Sequence, residues 1–171
     1  MPACRRPPGA AASTWNPRIA LRDHYPILRR RRFFTGVYNP DVDVKDVTWI
    51  NPRGQEKTQE SWGDPRERCF GMVLDGRAQE SGIKKSGSDQ TLLIVTNAHH
   101  DVVNFKLPES PEGRRWQRLL DTNDPKLGNE HYAFGAIYQV TGRSLLVFLL
   151  ELDGNANGAP APRARRKVAR K

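Results

Sequence analysis

Short segments in which apolar and polar residues alternate predict β-strands along most of the chain. Side chains two residues apart lie on the same face of a strand, so an apolar residue at every second position marks a strand with one buried face. Leu92–Val95 and Leu145–Leu150 are continuous apolar runs instead, which predicts central strands covered on both faces. The alternating segments are Val47 with Trp49, Phe70 with Met72 and Leu74, and Val103 with Phe105 and Leu107.

Segments rich in turn-forming residues separate these strands and set the fold class. About six or seven short strands with regular turn signals between them predict a mainly β fold, an antiparallel β-sandwich over residues 35–152. Only Asn97–Asp101 separates the apolar run that ends at Thr96 from the strand that begins at Val102. We therefore expect these two strands to form a tight hairpin.

One helix is predicted ahead of the strands, within residues 17–34. Asn16 followed by Pro17 is a favourable start, because the side-chain oxygen caps free amides and the ring fixes a helical φ. Pro26 lacks an amide hydrogen and collides with the preceding turn, so we expect an interruption there. The spacing i, i+3, i+4, i+7 predicts one buried stripe, which consists of Leu21, His24, Tyr25 and Leu28.

The net charge of +9 comes from the two ends of the chain. Residues 1–32 hold eight Arg and one Asp, and residues 163–171 hold six Lys or Arg and no acid, which leaves a net charge of −4 for residues 33–162. A face that binds phosphate backbones needs basic residues on the folded part, so we expect no specific nucleic-acid site. We expect disordered arms at 1–16 and 153–171, and nonspecific polyanion binding through them is an open alternative.

Cysteine content and hydropathy limit the class of protein further. The two cysteines, Cys4 and Cys69, form no CxxC pair, so neither a disulfide framework nor a zinc knuckle is expected. No apolar run reaches the roughly 18 residues that a membrane-spanning helix needs, and the N-terminus lacks the hydrophobic centre of a secretory signal. We expect a cytoplasmic protein without a membrane contact.

His99 and His100 are the first candidates for chemistry, because they stand beside Asp101 in the segment NAHHD. Metal ligands converge on one point, whereas successive side chains of an extended segment point apart. We therefore interpret the segment as a structural turn and expect no metal site. The chain has neither a glycine-rich phosphate loop nor a GxSxG nucleophile elbow, so no nucleotide cofactor and no serine-hydrolase chemistry are expected.

Aromatic side chains are the candidates for carbohydrate binding, since the C–H face of a glucose ring packs on an aromatic plane. Trp49 alternates with Val47 and Trp116 with Leu120, which predicts that both tryptophans lie in the core. Trp62 lies in the loop-like stretch TQESWGDP, so it is the candidate substrate-binding residue. The remaining aromatic candidates are Tyr132 and Tyr138.

Six sequence blocks in the same order and spacing carry a family resemblance. They are ALRDHYPILRRRRFF (20–34), KDVTWINPRGQEKTQESW (45–62), RCFGMVLDG (68–76), TLLIVTNAHHDVVNFKLP (91–108), RRWQRLLDTNDP (114–125) and TGRSLLVFLL (141–150). Together they resemble the C-terminal region of isoamylase-type glycogen debranching enzymes, multidomain glycosidases that cut α-1,6 branch linkages. The resemblance implies that the helix within residues 17–34 corresponds to the last helix of a (β/α)8 barrel. Lys57 departs from the family pattern, which often has methionine there.

The resemblance also implies a role in glycogen catabolism, with glycogen or another α-glucan as the partner of the whole enzyme. The family's catalytic carboxylates lie in a barrel that precedes the region matched here, and such a barrel takes about 250 residues. We therefore expect a C-terminal fragment that is inactive alone, with a barrel domain as its partner if another chain supplies one. The alternative is a free-standing α-glucan-binding module, which requires two exposed and coplanar aromatic faces.

Overall fold

The computed structural model describes residues 17–29, 33–40, 43–78, 90–110, 113–124 and 130–152, and the expected arms at 1–16 and 153–171 lie outside the described residues. This part of the chain is mainly β, as predicted, with ten strands rather than six or seven because several strands have only two or three residues. No helix in it is long and apolar enough to cross a membrane. In chain order the elements are α1 (Pro17–His24), β1 (Tyr38–Asn39), β2 (Val44–Lys45), β3 (Val47–Ile50), α2 (Gln59–Trp62), β4 (Cys69–Leu74), β5 (Leu92–Asn97), β6 (Val103–Lys106), β7 (Gly113–Asp121), β8 (His131–Ala133), β9 (Ile137–Val140) and β10 (Ser144–Leu152), with 3₁₀ turns at Pro26–Arg29 and Gly76–Ala78.

Six strands form one antiparallel sheet in the order β3-β4-β5-β10-β7-β8. The two continuous apolar runs are β5 and β10, which lie side by side at the centre with Leu93 opposite Phe148. Both of these side chains are fully buried. The prediction of central strands covered on both faces is therefore confirmed.

Alternate residues of the central strands enter two separate cores, one on each face of the sheet. The inner core is the larger and contains Trp116 and Phe105, and the outer core contains Tyr25 and Ile27. Within β5 and β10, Leu93, Val95, Leu146, Phe148 and Leu150 belong to the inner core, and Leu92, Val147 and Leu149 belong to the outer core. A sheet with apolar residues on both faces needs a cover on each side.

A second sheet of two strands, β6 and β9, covers the inner face. Phe105 of β6 points into the inner core with no exposed surface, directly opposite Tyr138 of β9. Gly71 of β4 makes room for that ring, because a Cβ added at position 71 would lie 2.8 Å from Phe105 Cζ. The two sheets form the predicted antiparallel β-sandwich.

The predicted hairpin between β5 and β6 is wrong. Both edges of β5 are already occupied, by β4 on one side and by β10 on the other. β6 instead crosses to the second sheet and pairs with β9, where Val103 lies opposite Val140. The chain changes sheet at the segment Asn97–Asp101, so this segment is a corner between two sheets and not a hairpin loop.

The N-terminal helical segment packs on the outer face of the six-stranded sheet. Helix α1 ends at His24, and a 3₁₀ turn follows from Pro26, so the predicted interruption is confirmed. Tyr25 and Ile27 are buried and belong to the outer core, with Leu21 and Leu28 packed against it. The predicted stripe is wrong at one position, because His24 is exposed and only the edge of its ring contacts Tyr25.

A buried arginine ties β7 to the loops beside it. Arg118 is 5% exposed and donates hydrogen bonds to the Tyr138 hydroxyl (3.0 Å) and to Asp124 Oδ2 (2.9 Å), and its guanidinium lies 3.3 Å from Glu130 Oε2. Tyr138 in turn donates to Asp121 Oδ2 at 2.9 Å. Because a buried guanidinium is stabilised only when it is paired, this network fixes the β7–β9 side of the sandwich.

Candidate functional site

The outer face of the six-stranded sheet is organised in rows that run across the strands. Strand register places Val47, Leu74, Leu92 and Leu149 in the first row. All four are buried, because Tyr25 and Ile27 of the N-terminal segment belong to the same core. The first row is therefore covered by the chain itself.

The next two rows are mostly apolar and, except for the buried Val147 in the second row, half-buried. Register places Trp49, Met72 and Ile94 in the second row, with Leu120 reached through Val147, and it places Phe70 and Leu145 in the third row beside Thr96. A contiguous apolar surface of this kind on a folded domain is typical of an interaction site. The outer-face patch is defined as Trp49, Phe70, Met72, Ile94, Leu120 and Leu145.

Trp62 stands at the β3–β4 end of the outer-face patch. It is the last residue of α2, a one-turn helix whose start is capped because the Thr58 hydroxyl accepts a hydrogen bond from the Ser61 N–H. The indole packs edge-on against Trp49 with centroids 5.3 Å apart and tilted against Phe70 at 6.1 Å. Trp62 is nevertheless 47% exposed, so the candidate residue is at the surface, on a helical turn and not in a loop.

Lys57 holds the turn that carries Trp62. Its side chain is 2% exposed, and its ammonium pairs with Glu67 and donates to the Ser61 carbonyl oxygen at 3.2 Å. The same ammonium lies 4.8 Å from the centre of the Trp62 ring, within the range of a cation–π interaction. Nearby, the Arg66 backbone N–H and guanidinium donate to Asp64 and lower the pKa of that carboxyl group.

The other aromatic candidates lie elsewhere in the fold. Trp116 is fully buried, as predicted, and Trp49 is half-buried, so it belongs only partly to the core. Tyr132 and Tyr138 both pack edge-on against Phe148 of the inner core, and burial, together with a hydrogen bond to Glu130, raises the pKa of the Tyr132 hydroxyl. Trp49 and Trp62 meet at 79°, so the outer-face rings do not form the coplanar pair that a two-ring sugar platform requires.

The segment NAHHD is a corner locked by a buried amide. Asn97, 1% exposed, donates from Nδ2 to the carbonyl oxygens of Asp101, Val140 and Thr141 and accepts from the His99 N–H at 2.9 Å. The expectation that the two imidazoles point apart is wrong, because the chain bends here. The rings of His99 and His100 stack with centroids 4.3 Å apart.

This bend brings a set of potential metal ligands together. Ligand atoms of His99, His100 and Asp101 lie within 4.8 Å of one another. However, His99 Nδ1 accepts the Asp101 backbone N–H at 3.0 Å, so the proton of the neutral imidazole lies on Nε2 and neither nitrogen offers a free lone pair. His99 is thus engaged in the hydrogen bonds of the turn, and the interpretation of the segment as a structural turn stays a prediction.

Known proteins are similar in sequence to this β-sandwich. Residues 46–149 match the family described as isoamylase, C-terminal. The chain is 36% identical over 133 residues to the glycogen operon protein GlgX homolog of Mycobacterium bovis, which covers 74% of this chain and 18% of that protein. It is 23% identical over 141 residues to the isoamylase of Pseudomonas amyloderamosa, covering 77% of this chain and 16% of that protein.

A third relative is the isoamylase of a Flavobacterium species, 24% identical over 141 residues, with 77% of this chain and 17% of that protein covered. The chain thus spans less than a fifth of the length of these relatives. The matched segment includes both strands of the second sheet and all six strands of the main sheet, except the last three residues of β10. This chain belongs to the isoamylase C-terminal domain family.

Proposed function

We propose that this chain is the non-catalytic C-terminal β-sandwich of an isoamylase-type α-1,6-glucosidase of glycogen catabolism, acting in the cytoplasm. Its task is to pack against a catalytic domain and stabilise it. Support comes from the relatives, whose names are isoamylase and glycogen operon protein, and from the family match over most of the sandwich. The whole enzyme, and not this chain, binds and cleaves the glucan.

The observation that carries this proposal is the outer-face patch. Its six apolar side chains continue the outer core beyond the point where Tyr25 and Ile27 cover it. An amphipathic sheet face is stable when a second layer covers it, and in the described part of the chain Trp49, Met72 and Ile94 stay partly exposed beside the covered first row. The catalytic domain supplies the missing layer over the second and third rows.

The carboxylates of the sandwich support a non-catalytic role. A glycosidase needs one carboxylic acid that stays protonated in an apolar site and a second carboxylate opposite it. Here Asp46 accepts the N–H groups of Thr35 and Gly36, and Glu67 pairs with Lys57. These acids serve the architecture of the domain.

The test is complex formation with a catalytic domain. The Mycobacterium bovis relative, cut before the segment that this chain matches, is mixed with the 171-residue chain and run on a sizing column. We expect one co-eluting complex for the wild-type chain and none for Ile94→Lys, because that change places a charge in the middle of the outer-face patch. Asn104→Lys, on an exposed position of β6, is the matched control and keeps the complex.

Loss of the complex in both lysine variants, or its survival in both, would contradict the proposed surface. Each variant is first checked for an unchanged thermal midpoint, since a charge on a half-buried position also tests folding.

A second candidate function is a direct α-glucan contact through Trp62. One observation favours it, namely that Trp62 is 47% exposed although its ring is held by Trp49 and Phe70. A fixed aromatic plane at the surface is suited to stacking on one glucose ring. The test is binding of the chain to glycogen by affinity electrophoresis, where Trp62→Ala abolishes the retardation if the contact exists and leaves it unchanged if it does not.

A further inference from the structure

Lys57 is an unusual element of the outer face, because a fully buried ammonium lies against an exposed indole. Its side chain is 2% exposed, whereas its ion-pair partner Glu67 is 31% exposed and the Trp62 ring is half exposed. Burying a lysine is costly unless its three donors find acceptors. Here two acceptors are Glu67 Oε2 and the Ser61 carbonyl oxygen, and the Trp62 ring is a third contact.

These contacts determine where the indole lies. Helix α2 has a single turn, and a helix so short does not hold its shape without tertiary contacts. The Lys57 backbone N–H donates to the Trp49 carbonyl oxygen at 2.8 Å, while its ammonium binds the Ser61 carbonyl oxygen next to Trp62. Lys57 therefore joins β3, the last turn of α2 and the loop at Glu67.

The same contacts decide which face of the indole is open. The ammonium lies over one face of the ring, and the Trp49 ring lies at an interplanar angle of 79° to it with centroids 5.3 Å apart. Phe70 approaches at 56°, so neither neighbour extends the plane of the indole. With the ammonium over one face of a ring that is 47% exposed, a ligand can stack only on the opposite face, which has the size of one pyranose ring.

We propose that Lys57 is a positioning residue that holds Trp62 with a single face open to one glucose unit of an α-glucan. The inference rests on the second candidate function, the glucan contact of Trp62, and adds the residue that sets its geometry and the number of sugar rings it accepts. A contact limited to one ring gives weak binding, with a dissociation constant on the order of 1 mM.

The experiment is a titration of the 15N-labelled 171-residue chain with maltoheptaose, followed through the indole N–H signals. Trp62→Phe identifies the Trp62 signal, and the signal of the buried Trp116 reports the integrity of the fold. We expect Lys57→Met to raise the dissociation constant about fivefold. Methionine keeps the volume and the flexible stem of lysine but has no hydrogen-bond donor. Lys57→Arg keeps the charge, so we expect its dissociation constant to stay within about twofold of the wild-type value.

The matched control is Lys45→Met, which removes an exposed lysine paired with Glu56 at 2.7 Å and leaves the affinity unchanged. Glu67→Gln is the second variant if Lys57→Met does not fold, and it weakens binding in the same direction. A positioning residue acts through Trp62, so Lys57→Met adds no further loss in a Trp62→Ala background, where binding is followed through the indole signal of the neighbouring Trp49.

The role of Lys57 would be overturned if Lys57→Met and the wild type bound with equal affinity, or if the losses were additive in the double variant. Either result would leave the Trp62 contact in place. If the Trp62 signal of the wild-type chain does not shift with maltoheptaose, both the glucan contact and the role of Lys57 are wrong. That result leaves the docking of the outer-face patch unaffected, because docking has its own assay.

Discussion

Replacing Asn97 tests whether the corner NAHHD is a structural lock between the two sheets. The side chain is 1% exposed, and Asn97→Ala removes two donor hydrogens that three carbonyl oxygens share and one acceptor used by His99. At about 1 kcal/mol for each net hydrogen bond the loss is about 2 to 3 kcal/mol. The loss stays within this range because the carbonyl groups of Asp101 and Thr141 belong to exposed residues and regain water, whereas that of Val140 is buried.

The assay is equilibrium unfolding in urea, monitored by circular dichroism. With a slope of roughly 2 kcal/mol/M the midpoint falls by about 1 to 1.5 M. Asn97→Asp keeps the shape of the side chain but has no donor, so it loses at least as much stability as Asn97→Ala. The control Asn104→Ala, on an exposed position of β6, stays within about 0.5 kcal/mol. A loss below about 1 kcal/mol in both Asn97 variants would show that the Asn97 amide does not lock the corner between the two sheets.

Three further predictions concern stability and the buried thiol. Arg118→Met loses about 3 kcal/mol in urea unfolding, because it removes the cation beside the buried Asp121 and the donor to the Tyr138 hydroxyl. Arg115→Met, whose side chain is 39% exposed in its pair with Glu151, loses less than about 1 kcal/mol; equal losses would contradict this. Gly142→Ala lowers the thermal midpoint by about 5 °C, since the added Cβ would lie 2.2 Å from the His100 carbonyl oxygen; an unchanged midpoint would exclude that crowding. Burial raises the pKa of the Cys69 thiol from 9.0 to about 12, so this thiol favours folding below pH 9 and its contribution is lost as the pH rises from 9 towards 12. In a Cys4→Ser background, Ellman's reagent at pH 8.5 labels Cys69 only after unfolding, and rapid labelling of the native chain would show that the thiol is accessible.

The strands and the sandwich class were predictable because the burial of each strand face determines the pattern of apolar and polar residues along the strand. The segments Leu92–Val95 of β5 and Leu145–Leu150 of β10 are apolar at every position because side chains from both of their faces belong to a core. Phe105 alternates with exposed neighbours because β6 is covered on one face. Pro26 likewise ended α1 for a covalent reason that no tertiary contact can override. Such effects act on each residue locally.

Strand pairing was not predictable in the same way. The short segment Asn97–Asp101 favoured a hairpin, but β10, which lies about fifty residues further along the chain, takes the edge of β5 instead. Residues of β10 and β5 that are far apart in sequence share the inner core. Period-two alternation says which face of a strand is buried but not which strand lies beside it.

The candidate site was predictable only in part. The loop-like context of Trp62 indicated an exposed aromatic residue, and the structure places it at the surface. Nothing in the sequence indicated that Lys57 would be buried beneath it, because lysine is the side chain least expected in a buried position. The outer-face patch was also missed, since the register that aligns Trp49, Met72 and Ile94 in one row depends on pairing across three strands.

The most direct test of the account is the release of reducing ends from glycogen by three samples. These are the 171-residue chain alone, the Mycobacterium bovis relative cut before the matched segment, and a mixture of the two. We expect no release by the chain alone and more release by the mixture than by the cut relative, because the proposed role of the sandwich is to stabilise a catalytic domain. Release of reducing ends by the chain alone would contradict the proposed non-catalytic role.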